Sequence, residues 1–173
     1  MKILLGSNSP RRNELLKQMD IDFTKVKIDC DEDFDKTMHP SRVPVFLSQK
    51  KSKSYVALQE NELLITADTV VVDGDRILNK PTEAKDAEKM LRSLSDKSHE
   101  VITGVTIRTL EKEVSFSCST KVWLDELSSV DIEHYICKYK PYDKAGSYGI
   151  QEWFGLSQVV QIEGCFYNVV GLP

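Results

Sequence analysis

One acidic residue, Asp68, interrupts an otherwise apolar segment. Residues 63–72 read LLITADTVVV, and the apolar flanks predict a strand that is buried on both faces. An ionised carboxylate in that setting costs several kcal/mol unless it is paired with a cation or binds a metal. A structural salt bridge, or a strand end that reaches solvent, would also explain it. Asp68 is the strongest single candidate for a catalytic residue.

A second segment is rich in groups that bind anions. Residues 6–12 read GSNSPRR, follow a short apolar strand at 3–5 and precede a helical pattern. Ser9 is expected to cap that helix, and Pro10 fits its first position. A helix N-terminus beside two guanidinium groups attracts a phosphate. The segment predicts a phosphate-binding corner, and the alternative is a capped surface helix with two solvated arginines.

Other charged and glycine-rich segments are weaker candidates. An acidic run at 29–33 could supply a second carboxylate for Mg²⁺, although most such runs are solvated turns. A basic helix around 49–53 and the Lys80-Pro81 pair could meet a phosphate or simply face solvent. Residues 143–151 place two glycines around a tyrosine and end at Gln151, whose amide could read a base edge.

Length, charge and cysteine usage limit the class of protein. A chain of 173 residues forms one domain, or two closely packed lobes. Its net charge of −4 argues against general nucleic-acid binding, while a locally basic pocket can still bind a small anion. No apolar run suits a membrane helix, and no signal-peptide pattern is present. The four cysteines lack metal-site spacing, so we expect reduced thiols in a cytoplasmic protein.

The elements that must position these groups alternate along the chain. Strands are predicted at 3–5, 23–28, 63–72, 76–78, 101–110, 114–124 and 156–162. Helices are predicted to begin at Ser9, after Pro40, at Thr82, and at Ser128 or Ser129. The turn at 73–75 predicts a hairpin. Crossovers together with hairpins predict an α/β or α+β fold with a mixed sheet.

Six segments span nearly the whole chain: SNSPRR (7–12), ADTVV (67–71), KP (80–81), HEVITGV (99–105), KAGSYGIQ (144–151) and NVVGLP (168–173). Together, and in this order, they resemble the Maf family of nucleoside triphosphate pyrophosphatases. The resemblance implies a mixed α/β fold, elongated and two-lobed, with a long mixed sheet flanked by helices. That architecture is similar to the house-cleaning inosine triphosphatases. Residues 1–173 are expected to form a single Maf-like domain with two closely packed lobes and a cleft.

The resemblance also implies an activity. Family members hydrolyse the bond between the α and β phosphates, release a nucleoside monophosphate and pyrophosphate, and use a divalent cation, Mg²⁺ or Mn²⁺. Asp68 matches the family's general base, although it could instead hold the metal. Glu32 matches a glutamate of the acidic segment and is the expected metal partner of Asp68.

Further positions match the family's substrate-binding residues. Those expected to bind the phosphates are Ser7, Arg11, Lys80 and Lys51, with Lys53 as an alternative to Lys51. Those tied to substrate choice are Arg12, Thr69 and Gln151. Two positions depart from the family pattern, Asn79 and Glu152, and relatives usually continue beyond residue 173 into a helix.

The KAGSYGIQ segment resembles the branch of the family that acts on dTTP and UTP, including 5-methyl-UTP and pseudo-UTP. The expected partner is therefore a nucleoside triphosphate, with no nucleic acid and no membrane, and a homodimer is a family expectation. A nucleotide-binding regulator of septum formation without significant turnover is the alternative, and a nucleotidyltransferase is a weaker one. The presence of Asp68 favours the enzyme, because a pure binder needs no base.

Overall fold

The computed structural model describes every residue from Met1 to Pro173. Its seven strands are β1 (Lys2–Leu5), β2 (Phe23–Lys25), β3 (Glu62–Asp73), β4 (Arg76–Leu78), β5 (Ser98–Arg108), β6 (Glu113–Leu124) and β7 (Val159–Glu163). Its six α-helices are α1 (Pro10–Gln18), α2 (Val43–Ser54), α3 (Ala84–Leu94), α4 (Ser129–Tyr139), α5 (Trp153–Gln158) and α6 (Phe166–Val170). Two short 3₁₀ turns cover Pro40–Arg42 and Ala145–Ser147.

All seven strands belong to one mixed sheet. The strand order is β2-β1-β3-β5-β6-β7, and β4 pairs with β3 beside this path. β1 runs parallel to both of its neighbours, while the β3–β4 and β6–β7 pairs are antiparallel. Helices flank the sheet, so the predicted mixed α/β fold is confirmed.

The chain divides into two compact units. Unit 1 contains Met1–Thr69, Thr103–Cys118 and Gly171–Pro173, and unit 2 contains Val70–Ile102 and Ser119–Val170. The strands β3, β5 and β6 therefore contribute residues to both units. The expectation of one domain with two closely packed lobes stays a prediction.

The core of unit 1 forms around the short strand β1. Leu4 and Leu5 are buried, and parallel partners pair with both edges of their strand β1. Leu4 packs with Leu58 and Leu64, and α1 buries Leu15 together with its neighbour Leu16. Full burial of one such leucine side chain stabilises a fold by about 2 kcal/mol.

The core of unit 2 combines two helices with an aromatic cluster. The helix α3 buries Ala87, Leu91 and Leu94 at helical spacing. The ring of Tyr135, on α4, lies 5.0 Å from that of Phe154, and Tyr148 lies at the same distance from Phe154. This cluster holds α4 and α5 against the glycine-rich segment, which carries Tyr148.

One predicted strand was partly wrong. The sequence predicts one strand at 156–162, but α5 includes residues 156–158, and β7 begins only at Val159. The helix buries Phe154 and Gln158, which are four residues apart and therefore share one face. Packing of Phe154 on the aromatic cluster therefore favours the helix over the predicted strand.

Further boundaries also differ from the expectation. The strand predicted at 101–110, for example, covers Ser98–Arg108. The strand predicted at 23–28 ends at Lys25, because its parallel partner β1 ends at the paired residue Leu5. Thr82 does not cap α3, because its hydroxyl bonds to the carboxylate of Asp86, and the helix begins after Glu83.

Two local expectations, a hairpin and a helix cap, are confirmed. The hairpin across residues 73–76 joins β3 to β4, and Ser128 caps α4 by accepting a hydrogen bond from the amide of Asp131. All four cysteines are free thiols. No helix is long and apolar enough to cross a membrane.

Candidate active site

The predicted phosphate-binding corner lies in unit 1, at the N-terminus of α1. Ser9 has an extended backbone and its Oγ accepts a hydrogen bond from the amide of Arg12 at 3.4 Å, so it caps the helix as predicted. Pro10 occupies the first helical position. The hydroxyl of Ser7 accepts a hydrogen bond from the amide of Ser9 at 3.2 Å, which shapes the preceding loop. The corner therefore has the backbone geometry that suits a phosphate.

Arg12 is buried and ties three separate segments together. Its Nε donates to the carbonyl of Gly171 at 2.7 Å, one Nη to Ser7 Oγ at 3.2 Å, and the other to Thr69 Oγ1 at 2.9 Å. Burial lowers the pKa of the guanidinium, the charge of Asp68 acts to raise it, and the adjacent charge of Arg11 acts to lower it. Arg12 thus holds the loop and Thr69 in place through protein contacts.

The helix α2 is fixed against the sheet from both ends. Gly104 lies so close to the backbone of Pro44 and Val45 that a Cβ there would overlap it. At the other end, Arg108 donates to the carbonyls of Ser52 and Tyr55, each at 2.6 Å. A cation at a helix C-terminus also complements the helix dipole. These contacts determine where the side chains of α2 point.

Lys51, on α2, lies between two carboxylates. Its Nζ is 2.6 Å from Asp68 Oδ1 and 2.8 Å from Glu32 Oε1. The side chains of Lys51 and Asp68 are only 14% and 12% exposed, whereas that of Glu32 is 56% exposed. Asp68 is thus the buried and Glu32 the accessible member of one charge cluster. Lys53 is exposed, so the structure places Lys51, and not its alternative, at Asp68.

A second lysine of α2 also holds the acidic run. Lys50 forms an ion pair with Asp31 and donates to the carbonyl of Asp33 at 3.0 Å. The hydrogen bond from Lys50 lowers the pKa of the Asp31 carboxyl. Adjacent lysines therefore bind consecutive acids, Asp31 and Glu32, and anchor this run to α2.

The carboxylates fit a divalent cation only in combination with a substrate. No group of three or more His, Cys, Asp and Glu side chains could hold a metal ion by itself. Asp68 and Glu32 do surround a single positive charge, the Lys51 ammonium. Mg²⁺ is commonly bound by one or two carboxylates together with substrate phosphates and water. The carboxylates of Asp68 and Glu32 therefore fit a Mg²⁺ ion whose other ligands are substrate phosphates and water.

Two of the predicted site residues lie in unit 2. Lys80 follows β4 and is exposed, and Gln151 is exposed at the end of the glycine-rich segment. The amide of Gly146 donates to the carbonyl of Asn79 at 3.3 Å, so the segment contacts the turn that carries Lys80.

Within unit 1 the structure brings most of the predicted residues into one charge and hydrogen-bond network: Ser7, Arg12, Thr69, Lys51, Asp68 and Glu32. Arg11 is half-buried beside them on α1. Sequence reasoning missed Thr103, whose Oγ1 lies 2.9 Å from that of Thr69, although it belongs to the HEVITGV segment. It also missed the carbonyl of Gly171, which no side-chain pattern could reveal.

Fold and site define a mixed α/β protein with a capped helix N-terminus beside a Lys–Asp–Glu cluster. The sequence model of the Maf family, described as Maf-like protein, matches residues 2–173. The chain is 48% identical to the dTTP/UTP pyrophosphatase of Porphyromonas gingivalis over 176 residues, which covers 99% of this chain and 88% of that protein. It is 47% identical to the dTTP/UTP pyrophosphatase of Parabacteroides distasonis over 174 residues, covering 99% and 90%.

The chain therefore belongs to the Maf family, as the six segments predicted. Among solved structures, that of the Staphylococcus aureus Ham1 protein matches 72% of this chain and 72% of its own, with 13% identity and a TM-score of 0.48.

Proposed function

We propose that the protein is a nucleoside triphosphate pyrophosphatase that hydrolyses dTTP and UTP to the monophosphate and pyrophosphate. The observation that carries the proposal is the Asp68–Lys51–Glu32 cluster beside the capped N-terminus of α1. Relatives 47–48% identical over nearly the whole chain bear the name dTTP/UTP pyrophosphatase, which supports both the reaction and the nucleotide.

The reaction needs a base, a site for the phosphates and neutralisation of charge. Water attacks the α-phosphorus, Asp68 accepts the proton of that water, and the bond from the α-phosphorus to the bridging oxygen breaks as pyrophosphate leaves. The N-terminus of α1, Ser7 and Arg11 bind phosphate oxygens, and Lys51 neutralises developing charge. Arg12 holds Ser7 and Thr69 in position for this.

Glu32 would hold a divalent cation, Mg²⁺ or Mn²⁺, together with substrate phosphates and water. The cation would polarise a phosphoryl oxygen and stabilise charge in the transition state. The alternative role of Asp68 is to hold this cation instead of accepting the proton. As the substrate binds, the ammonium of Lys51 leaves Asp68 and Glu32 and contacts a phosphate. Its four-carbon stem and single charge suit such a change of partner.

Two further predicted residues belong to the proposal. Lys80, which is exposed, is proposed to contact the triphosphate. Gln151 contributes to the choice of base, since an amide can donate to and accept from the Watson–Crick edge of a pyrimidine.

The test is pyrophosphate release from dTTP, UTP, CTP, GTP and 7-methyl-GTP, each with Mg²⁺ and with Mn²⁺. We expect monophosphate and pyrophosphate from dTTP and UTP, with water as the only acceptor. A preference for 7-methyl-GTP would overturn the choice of nucleotide and keep the reaction. Binding of dTTP without release of pyrophosphate would overturn the reaction and favour a nucleotide-binding regulator.

A further inference from the structure

A single phenol hydroxyl holds the segment that carries Gln151. Tyr135, on α4, is fully buried, and its hydroxyl accepts a hydrogen bond from the amide of Gly149 at 3.0 Å. The same hydroxyl donates to Glu152 Oε2 at 2.5 Å. Gln151 therefore lies between two residues that Tyr135 tethers, one of them two positions before it and the other directly after it.

A lysine also binds the carboxylate of Glu152. Lys144, with a side chain only 9% exposed, places its Nζ 3.1 Å from Glu152 Oε1 and 2.7 Å from Asp143 Oδ1. A buried ammonium is costly unless it is paired, so Lys144 and Glu152 stabilise each other in this position. The ion pair between Lys144 and Glu152 thus joins the two ends of residues 144–152.

The direction of each hydrogen bond follows from the protonation of Tyr135. Burial raises the pKa of the Tyr135 phenol, and the hydrogen bond to Glu152 raises it further. The hydroxyl keeps its proton at neutral pH, so it donates to Glu152 and can accept from Gly149.

The middle of the segment is fixed independently. Gly146 has a left-handed backbone with φ of 69°, and a Cβ there would lie 2.9 Å from the side chain of Val71. Tyr148 is buried, and its hydroxyl lies 2.6 Å from Nε2 of His99. The network around Tyr135 therefore controls chiefly the end of the segment, where Gln151 is exposed.

We propose that Tyr135, acting through Glu152 and Lys144, is a positioning residue that sets Gln151 and thereby the preference for a pyrimidine base. The inference rests on the proposed function. Tyr135 itself is buried, so it acts through the backbone that it tethers. A displacement of about 1 Å at a substrate-orienting group can cost up to about 100-fold in rate, so a small movement is enough.

The first test is Tyr135→Phe, which removes one oxygen and keeps the ring on Phe154. We expect kcat/KM for dTTP to fall roughly tenfold, mostly through KM, with a smaller change for CTP, so that the preference for dTTP declines. Hydrogen–deuterium exchange of a peptide covering residues 144–152 should become faster, because the amide of Gly149 loses its acceptor. The matched control is Tyr139→Phe, one turn later on α4, whose ring stacks 5.0 Å from that of Tyr135.

Two variants of Glu152 distinguish a loss of Gln151 positioning from a general loss of structure. Glu152→Gln can still accept from the Tyr135 hydroxyl, whereas Glu152→Ala cannot. We expect Glu152→Gln to retain more of the dTTP preference than Glu152→Ala, with both folded by circular dichroism. This series decides the question even if Tyr135→Phe fails to fold.

The outcomes distinguish the two proposals. If the wild type releases no pyrophosphate from any nucleotide, the proposed function fails and the selectivity role of Tyr135 fails with it. If the wild type is active but the dTTP preference of Tyr135→Phe is unchanged, only the positioning role is overturned. Equal effects of Tyr135→Phe and Tyr139→Phe, or equal effects of the two Glu152 variants, would also overturn it.

Discussion

The Nζ of Lys51 lies 2.6 Å from the Oδ1 of Asp68, and both side chains are almost fully buried. Removing one partner of such a pair leaves an uncompensated charge. Glu32 contacts the same ammonium from the solvent side. The pair therefore links α2 to β3. The proposed function uses its ammonium as a ligand of the substrate phosphates.

Replacing Lys51 with methionine should affect both activity and stability. We expect pyrophosphate release from dTTP to fall by at least about 100-fold, because a preorganised cation is lost. The free energy of unfolding should fall by about 3 kcal/mol, since Asp68 loses its ammonium. Lys53→Met, two residues later on the exposed face of α2, should match the wild type in both assays. A similar loss of activity and stability in Lys51→Met and Lys53→Met would contradict the proposed role of Lys51 as the cation beside Asp68.

Replacing Asp68 with asparagine should abolish turnover and leave the fold intact. The side chain can still accept from Lys51, but it can no longer take a proton, and a general base typically contributes 10²–10⁴-fold. Thermal unfolding should show a native transition, while dTTP hydrolysis falls by at least about 100-fold. The control is Asp73→Asn, a paired carboxylate on the same strand, which should stay active. Activity of Asp68→Asn within about tenfold of wild type would exclude Asp68 as the general base.

Arg12 should matter for stability as well as for substrate. Arg12→Met removes the donor to Gly171 O, Ser7 Oγ and Thr69 Oγ1. At roughly 1 kcal/mol for each hydrogen bond, we expect a loss of about 3 kcal/mol in the free energy of unfolding. For a chain of this size that corresponds to a fall in Tm of roughly 6–12 °C. Arg42→Met, at an exposed position before α2, should leave the Tm unchanged. A wild-type Tm for Arg12→Met would show that these hydrogen bonds do not hold the corner.

Local chemistry explains which parts of the site were predictable from the sequence. Ser9 and Pro10 specify the start of α1 by themselves, and the burial of Asp68 follows from its apolar flanks. The resemblance indicated Lys51 on the second helix, with Lys53 as the alternative, and the placement of α2 by Gly104 and Arg108 brings Lys51 to Asp68.

Long-range contacts explain why the other parts of the site could not be predicted from the sequence. The bond from Arg12 to the carbonyl of Gly171 joins residues 159 positions apart, and a backbone acceptor carries no sequence signal. The role of Tyr135 depends on packing between α4 and the glycine-rich segment, which a tyrosine in a helix does not reveal. The error at residues 156–158 has the same cause, because Phe154 packs on that cluster.

His99 is a buried titratable group that the proposed mechanism does not use. Its Nε2 lies 2.6 Å from the hydroxyl of Tyr148, and its ring meets the Tyr148 ring edge-on. Burial lowers the pKa of His99 to about 4, while the charge of Asp73 opposes this shift and that of Lys97 adds to it. The native state therefore keeps His99 neutral at pH values where the unfolded chain, with a pKa near 6.5, is protonated.

Stability should consequently decline as the solution becomes acidic. Above about pH 6.5 neither state binds this proton, and below it the unfolded state binds more, so the free energy of unfolding falls by about 2 kcal/mol at pH 5 and about 3 kcal/mol near pH 4. Urea unfolding at pH 7 and pH 5 measures the change. His99→Gln should lose that part of the pH dependence, whereas His134→Gln, at an exposed position on α4, should keep it. If wild type and His99→Gln lose equal stability between pH 7 and pH 5, another group must account for the decline.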